Sequence, residues 1–384
     1  MRVLQVHTTY REAGGEDVVV RGEAALLRGA GHHVDTHEVA NPTGLGTAAA
    51  LAASPWNPAA GRRVQRLVDV ARPDVAHVHN TWFAMSPSVP AALSGAGLPV
   101  VATLHNYRRV CASANLFRDG RTCTDCVGST PWSGVRHACY RSSRPASAVV
   151  AAGIRLNQRF ALLDRFVDVF LVLNEFMLEL FLRSGLDPAR AVVKPNWVPD
   201  PGPRATPPSR SRTVVVVGRV EALKGVEVLL SAWRRSQPDL DLVLAGDGAD
   251  RPRLEALAVP GVRFTGQLTS DEVRTLVLSA RALAFPTLQL EGQPLTVLEA
   301  MAAGTPVLAS RSGGTPELLK AVDSRWLVTP GDARAWGEAL NLLGTRSSEE
   351  LDATGRALRG EYERHHDEKA GLDQLLAAYA WAGA

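Results

Sequence analysis

The sequence predicts an α/β protein built on two doubly wound parallel sheets, each covered by helices on both faces. Three observations carry that expectation. Short β-branched runs alternate with helix-length amphipathic segments from one end of the chain to the other. A proline-rich stretch, residues 195–208, interrupts the alternation and suits neither a helix nor a central strand. Beyond it the alternation starts again, and 384 residues suffice for two to three domains.

Before the linker the expected strands are residues 3–7, 33–39, 74–79, 100–104, 167–173 and 191–194. Pro73, Pro99 and Pro188 stand just ahead of three of them, where a fixed φ and a missing donor do least harm. After the linker, strands are expected at 213–217, 242–245, 262–265, 282–285 and 307–309. Helices are expected from Val226, near Arg251, from Asp271, over 294–303 and over 316–321. Leu372, Leu375, Leu376 and Tyr379 form a helical stripe within residues 367–381 that must pack on something. The domains are therefore set at 1–195, with a cysteine-containing loop at 105–144, and at 196–364, followed by a terminal helix at 365–384.

Composition narrows the function. Forty-two basic residues against 39 acidic ones leave +3, too little for a protein that lives on nucleic-acid phosphates. The first residues lack the long apolar core and small-residue cleavage site of a signal peptide, and no stretch approaches the roughly 18 apolar residues that span a bilayer. The expectation is a soluble, cytoplasmic protein.

In open parallel sheets ligands bind beyond the carboxyl ends of strands, so the loops there are the candidates. The first runs Ala13-Gly14-Gly15-Glu16-Asp17 into a helix, either a close backbone approach to an anion or a tight turn with acidic capping. The second, Gly218-Arg219-Val220-Glu221-Ala222-Leu223-Lys224-Gly225, sets two cations at a helix mouth: a diphosphate clamp or a solvated basic turn. Only four of the 42 basic residues are lysine, which singles out Lys224. In the third, Glu291 precedes a helix opened by Pro294 and closed by Gly304, and Glu299 lies within it. Carboxylates beside an anion site suit hydroxyls of a sugar or ribose, although Glu299 alone could be an ordinary surface glutamate. The fourth candidate is His105 at a strand end, a catalytic group or a structural hydrogen-bonding one.

Gly218-Arg219 with Lys224-Gly225, Leu244-Ala245-Gly246-Asp247-Gly248, Phe264-Thr265-Gly266, Glu291-Gly292-Gln293-Pro294 with Glu299 through Val307, and Gly313-Gly314 with Glu317 resemble the retaining glycosyltransferases of family 4. The likeness is strongest over 214–317 and collinear before that through Gly14-Gly15-Glu16, His77-Val78-His79-Asn80 and Thr103-Leu104-His105-Asn106. It implies a GT-B fold: two Rossmann-like domains facing across a cleft, with the terminal helix crossing back to the first. It implies a nucleoside diphosphate sugar as donor, and a sugar, lipid-linked glycan or small molecule as acceptor. By the resemblance, Arg219 and Lys224 hold the diphosphate, Glu291 the donor sugar and Glu299 the ribose, as the family's E-x7-E pair. Backbone groups of Gly292, Gln293, Pro294 and Leu295 cradle the phosphates and sugar, Gly14 and Gly15 approach the diphosphate, and His105 sits at the reacting centre. Base recognition falls near Gly266, Gln267 and Leu268. No metal cofactor is required for catalysis, because arginine, lysine and a helix dipole neutralise the leaving group.

Two features lie outside those motifs. All four cysteines, Cys111, Cys123, Cys126 and Cys139, fall in the long loop as C-x11-C-x2-C-x12-C, which reads as a structural zinc site, with free thiols and disulfides as the alternatives. Residues 101–160 hold nine arginines against two acids, which suggests peripheral contact with an anionic membrane or lipid-diphosphate acceptor, or else a solvated basic face. The setting expected is cell-envelope or exopolysaccharide assembly. A natural-product aglycone, a nucleotide-sugar epimerase and a catalytically silent nucleotide-sugar binder are the alternatives.

Overall fold

The computed structural model describes residues 1–10, 14–44 and 46–383. Two compact units emerge, one of Met1–Leu116, Cys123–Pro195 and Gly371–Ala384, the other of Phe117–Thr122 and Asn196–Ala370. In chain order the strands before the linker are β1 (Arg2–Thr9), β2 (His33–Ala40), β3 (Val75–Asn80), β4 (Val100–Leu104), β5 (Phe117–Arg118), β6 (Arg121–Thr122), β7 (Val169–Val172) and β8 (Ala191–Val193). Six of them form one parallel sheet in the order β2-β1-β3-β4-β7-β8, while β5 and β6 make a short antiparallel hairpin. Strands β3 and β7 are buried along their whole length, as a sheet covered on both faces requires.

After the linker come β9 (Thr213–Val217), β10 (Asp241–Ala245), β11 (Val262–Gly266), β12 (Ala282–Phe285), β13 (Val307–Ser310) and β14 (Leu327–Val328), again all parallel, in the order β11-β10-β9-β12-β13-β14. Each sheet therefore reverses direction of growth once, between β1 and β3 and between β9 and β12. Ligands of open α/β sheets bind at such reversals. Local signals fix the helices: the Asn57 side chain caps Pro58–Ala71, Ser143 caps Arg144–Phe160, and Thr269 with Glu272 forms a reciprocal capping box on Ser270–Ser279.

The final helix, Glu368–Ala382, packs Leu375, Ala378 and Tyr379 into the core of the first unit with Val3, Ala24 and Leu27. That is the surface its stripe demanded. The sequence reading stops short between 321 and 367, where the structure adds β14 and the helices Ala333–Thr345 and Ser348–His365. Strand β14 has two residues, too few to show a period. The buried face of Ser348–His365 includes Thr354, Gly355 and Glu361, so its apolar stripe is broken. Among the described residues no helix is long and apolar enough to cross a membrane.

Candidate functional site

In the second unit the loops after β9 and β12 flank the reversal of the sheet, and they are fastened to each other. Leu288 N–H donates to the Leu223 carbonyl at 2.9 Å. Gly225 has φ +70°, and a Cβ there would stand 2.0 Å from the Pro286 carbonyl oxygen, so only glycine lets the two backbones meet. This brings Lys224 to Glu291: its Nζ donates to Oε1 at 2.8 Å, and Thr287 Oγ1 and Gln289 Nε2 donate to the same oxygen, each at 2.9 Å. Burial would push the Glu291 carboxyl up, but Lys224 and these side-chain donors together hold it below the ordinary range. Glu291 is thus a fixed, ionised acceptor. Its backbone is set from behind, where Gly314 N–H donates to the Glu291 carbonyl at 2.9 Å.

Arg219 is held differently. Its side chain is 58% exposed and its one ion pair is with Glu221 at 3.2 Å, the kind of surface contact that contributes about 0–1 kcal/mol. It can leave that partner for an anion at little cost. Gly218 and Gly266 stand at the carboxyl ends of β9 and β11, followed after β11 by exposed Gln267 and half-buried Leu268.

The helix Leu295–Ala302 begins after Pro294, whose carbonyl accepts from Val297 and Leu298. The amides of Leu295 and Thr296 precede the first of these bonds, which makes the helix tip an anion-favouring end. The Gln293 side chain is taken: Oε1 accepts from the Asn196 backbone N–H, and the Gln293 carbonyl accepts from Asn196 Nδ2. Asn196 thus occupies the side-chain oxygen and the main-chain carbonyl of Gln293, and the Gln293 main-chain N–H is left to face a ligand. Glu299, half-buried on that helix, makes no side-chain hydrogen bond or ion pair among the described residues, and burial raises its carboxyl above the usual value.

In the first unit Ala13 lies outside the described residues, while Gly14 is the residue before the helix Gly15–Gly29. Gly14 N–H donates to Asp17 Oδ2 at 2.8 Å, and Asp17 Oδ1 lies 2.9 Å from His7 Nε2. Acidic capping is therefore present, with Asp17 as the cap. Glu16 accepts from Tyr10 Oη at 3.1 Å and from Asn106 Nδ2 at 3.2 Å, and burial lifts its carboxyl to about 8. Neutral at pH 7, it does not repel an anion approaching Gly14 and Gly15.

His105 follows β4, its Nε2 3.0 Å from His79 Nδ1 with the two rings stacked. Burial lowers it to about 3, so at neutral pH it is an uncharged imidazole. Behind it lies a buried set that sequence reasoning missed: Glu23 pairs with Lys194 at 2.5 Å, 171 residues away in the chain. Lys194 shares the rarity of lysine that singled out Lys224, which was the one available signal.

The four cysteines are free thiols, Cys111 and Cys126 buried and Cys123 and Cys139 half-buried. Burial, with Cys111, Cys123 and Cys139 as neighbours, pushes the Cys126 thiol up to about 11, against a backbone hydrogen bond from Gly134. Among the described residues no three of the sulfurs lie within 4.8 Å of one another.

Comparison with known proteins decides the family. A model described as "Glycosyl transferase 4-like domain" matches residues 14–197, and one described as "Glycosyl transferases group 1" matches residues 211–345. The chain belongs to the family 4 glycosyltransferases. Among relatives of this family 4 chain are the sulfoquinovosyl transferase of Arabidopsis thaliana, 34% identical over 40% of this chain and 30% of that protein, and the D-inositol 3-phosphate glycosyltransferase of Corynebacterium jeikeium, 34% identical over 42% of this chain and 41% of that protein. The chain thus matches less than half the length of either. A putative teichuronic acid biosynthesis glycosyltransferase of Bacillus subtilis is 27% identical over 70% of this chain and 60% of that protein. The Anabaena protein HepE in complex with UDP and glucose superposes at TM-score 0.69 and 17% identity, covering 99% of both chains. Sucrose-phosphate synthase from Thermosynechococcus elongatus gives 0.68 and 20%, covering 99% of this chain and 98% of that one. These likenesses show the GT-B fold.

Proposed function

We propose that this family 4 protein transfers a sugar, with retention, from a nucleoside diphosphate sugar to an acceptor hydroxyl, and that the acceptor is a lipid-linked glycan of the cell envelope or an exopolysaccharide. The observation that carries the reading is the Lys224–Glu291 pair, locked between two loops at the sheet reversal beside the tip of Leu295–Ala302. A cation and a helix tip suit a diphosphate. An ionised carboxylate beside them suits the hydroxyls of the sugar it carries. Arg219 swings from Glu221 to the diphosphate, and with Lys224 stabilises the charge that appears as the nucleotide departs. The main chain of Gly292 to Leu295 lines the phosphates and sugar, Glu299 accepts from the ribose, and the turn at Gly266, Gln267 and Leu268 meets the base. The HepE structure in complex with UDP and glucose supports a nucleotide-sugar donor, and the teichuronic acid relative supports a polysaccharide setting.

Two further parts belong to this reading. Exposed Trp132, Leu156 and Phe160 accompany exposed Arg155 and Arg159, an amphipathic patch suited to an anionic lipid surface. The four thiols close round a structural zinc, whose charge would offset the burial, and the lesser repulsion from the other cysteines, that keep Cys126 protonated. Cosedimentation with anionic but not neutral vesicles, and one zinc per chain on metal analysis, are the expected results; equal pelleting or metal-free protein removes the respective part.

Incubation with UDP-, GDP- and TDP-sugars in excess EDTA tests the whole. One donor is expected to be turned over with release of its nucleoside diphosphate. Binding without turnover, or strict dependence on magnesium, contradicts the proposal.

A further inference from the structure

Behind His105 the first unit buries a run of titratable side chains that the proposed reaction leaves unused. Lys194 and Glu23 are at most 1% exposed, and the ammonium donates to Glu23 Oε1 at 2.5 Å. The other oxygen, Oε2, faces two ring nitrogens, His79 Nε2 and His77 Nδ1, each at 3.7 Å. His77 is engaged on both sides, its Nδ1 with Tyr379 Oη at 2.9 Å and its Nε2 with Thr103 Oγ1 at 2.8 Å. Among the described residues His79 Nε2 and Glu23 Oε2 have no hydrogen-bond partner, and they face each other. On its far side His79 meets His105, Nδ1 to Nε2, at 3.0 Å.

We propose that Lys194, Glu23 and His79 act as positioning residues that fix one tautomer of His105, with its proton on Nε2 and a lone pair on Nδ1. His105 then offers an acceptor, not a donor, to a hydroxyl of a ligand bound at the carboxyl end of β4. That the ligand is a sugar rests on the function proposed above; the tautomer does not.

The assignment follows from counting donors and acceptors along the run. An ionised carboxylate only accepts, so the nitrogen that faces Glu23 Oε2 carries hydrogen. His79 is then protonated on Nε2, its Nδ1 holds a lone pair, and the bond at 3.0 Å must be donated by His105 Nε2. The reverse order sets a ring lone pair against a carboxylate oxygen in a buried site, acceptor against acceptor, which is costly where neither can reach water. His105 Nδ1 is left with no hydrogen-bond partner among the described residues.

Burial keeps both rings neutral. Burial is the main reason that His105 is lowered to about 3 and that His77 and His79 lie well below the usual histidine value. Glu23 pulls His105 up and Lys194 pushes it down, with His7 and Asp17 as smaller influences of opposite sign. The other titratable groups packed against the run are Glu16, beside His7, and Tyr379, on His77. The atoms of Glu23, His77 and His79 lie within 4.8 Å of one another, a grouping that a divalent cation could also use. Lys194 already supplies a positive charge on that carboxylate, and Tyr379 occupies His77 Nδ1, so the geometry favours an ordered hydrogen-bond run over a metal.

Two-bond nitrogen-15 spectra of the full chain test this without any substrate. Both His79 and His105 are expected as neutral Nε2–H tautomers from about pH 5.5 to 8. In Lys194→Met, the unscreened Glu23 carboxylate draws a proton onto the His79–His105 pair. His105 then titrates inside that range, and kcat/KM gains an acid limb that the parent lacks, falling as pH drops because Nδ1 becomes protonated. Should Lys194→Met fail to fold, the charge-neutral pair Glu23→Gln with Lys194→Met replaces it, and His105 is expected to split between two tautomers because an amide can present either face. An Nδ1–H or charged His105 in the parent, or an unchanged single tautomer in the folded variants, overturns the proposal. Because the spectra need no donor, a chain that turns over no sugar nucleotide can still show the tautomer, and a wrong tautomer leaves the transfer reaction standing.

Discussion

Lys224→Ala and Glu291→Ala each remove most sugar transfer, by about 10²–10³-fold in kcat, the range seen when one preorganised charge-stabilising group is lost. The two are expected to share their effect. Lys224 Nζ and Glu291 Oε1 are 2.8 Å apart, so removing the lysine takes away the main compensating charge of Glu291, while removing the glutamate lets Lys224 wander from the diphosphate. The double variant should therefore be little worse than either single one, as groups acting as a unit behave. Stability should change modestly, because the pair is partly exposed and Thr287 and Gln289 still hold the remaining carboxylate in Lys224→Ala. Steady-state kinetics beside thermal melts check this. Full additivity, or normal turnover in either single variant, sinks the site assignment.

Glu23→Leu is expected to destabilise the chain by about 3–5 kcal/mol, because it strands the Lys194 ammonium at 1% exposure with no counter-charge. Lys194→Met should cost less than Glu23→Leu, since a proton drawn onto the neighbouring His79–His105 pair gives the remaining carboxylate a counter-charge. Replacing both at once should recover much of the loss, as an apolar pair of similar volume needs no desolvated charges. Chemical denaturation of the three variants gives the comparison. If Glu23→Leu unfolds at the same denaturant concentration as the parent, the ion pair at the centre of the first unit is not there.

The sequence announces its local features and hides its long-range ones. Strands such as β7 and β9 are almost continuous apolar runs, so their places are legible without tertiary information. The loops after β9 and β12 are legible too, because glycine and proline punctuate them and rare charges sit at their ends. What could not be read is which side chains meet. Lys224 and Glu291 are 67 residues apart, and Glu23 and Lys194 are 171 apart; nothing in either local pattern points to the other. Gln293 reads as a main-chain ligand group from its place before a helix, but nothing local tells that its side-chain oxygen meets Asn196, 97 residues earlier. The helix Ser348–His365 was missed because part of its buried face is polar or lacks a side chain: a Cβ on Gly355 would stand 2.3 Å from the Gly304 carbonyl oxygen, so backbone packs there on backbone.

The most direct test is a crystal structure with the nucleoside diphosphate that most raises the melting temperature, since a ligand selective for the folded state stabilises it by mass action. The diphosphate should lie at the amides that open Leu295–Ala302, with the Lys224 ammonium and the Arg219 guanidinium on its oxygens and Arg219 released from Glu221. A diphosphate bound away from Lys224 and that helix tip contradicts the account.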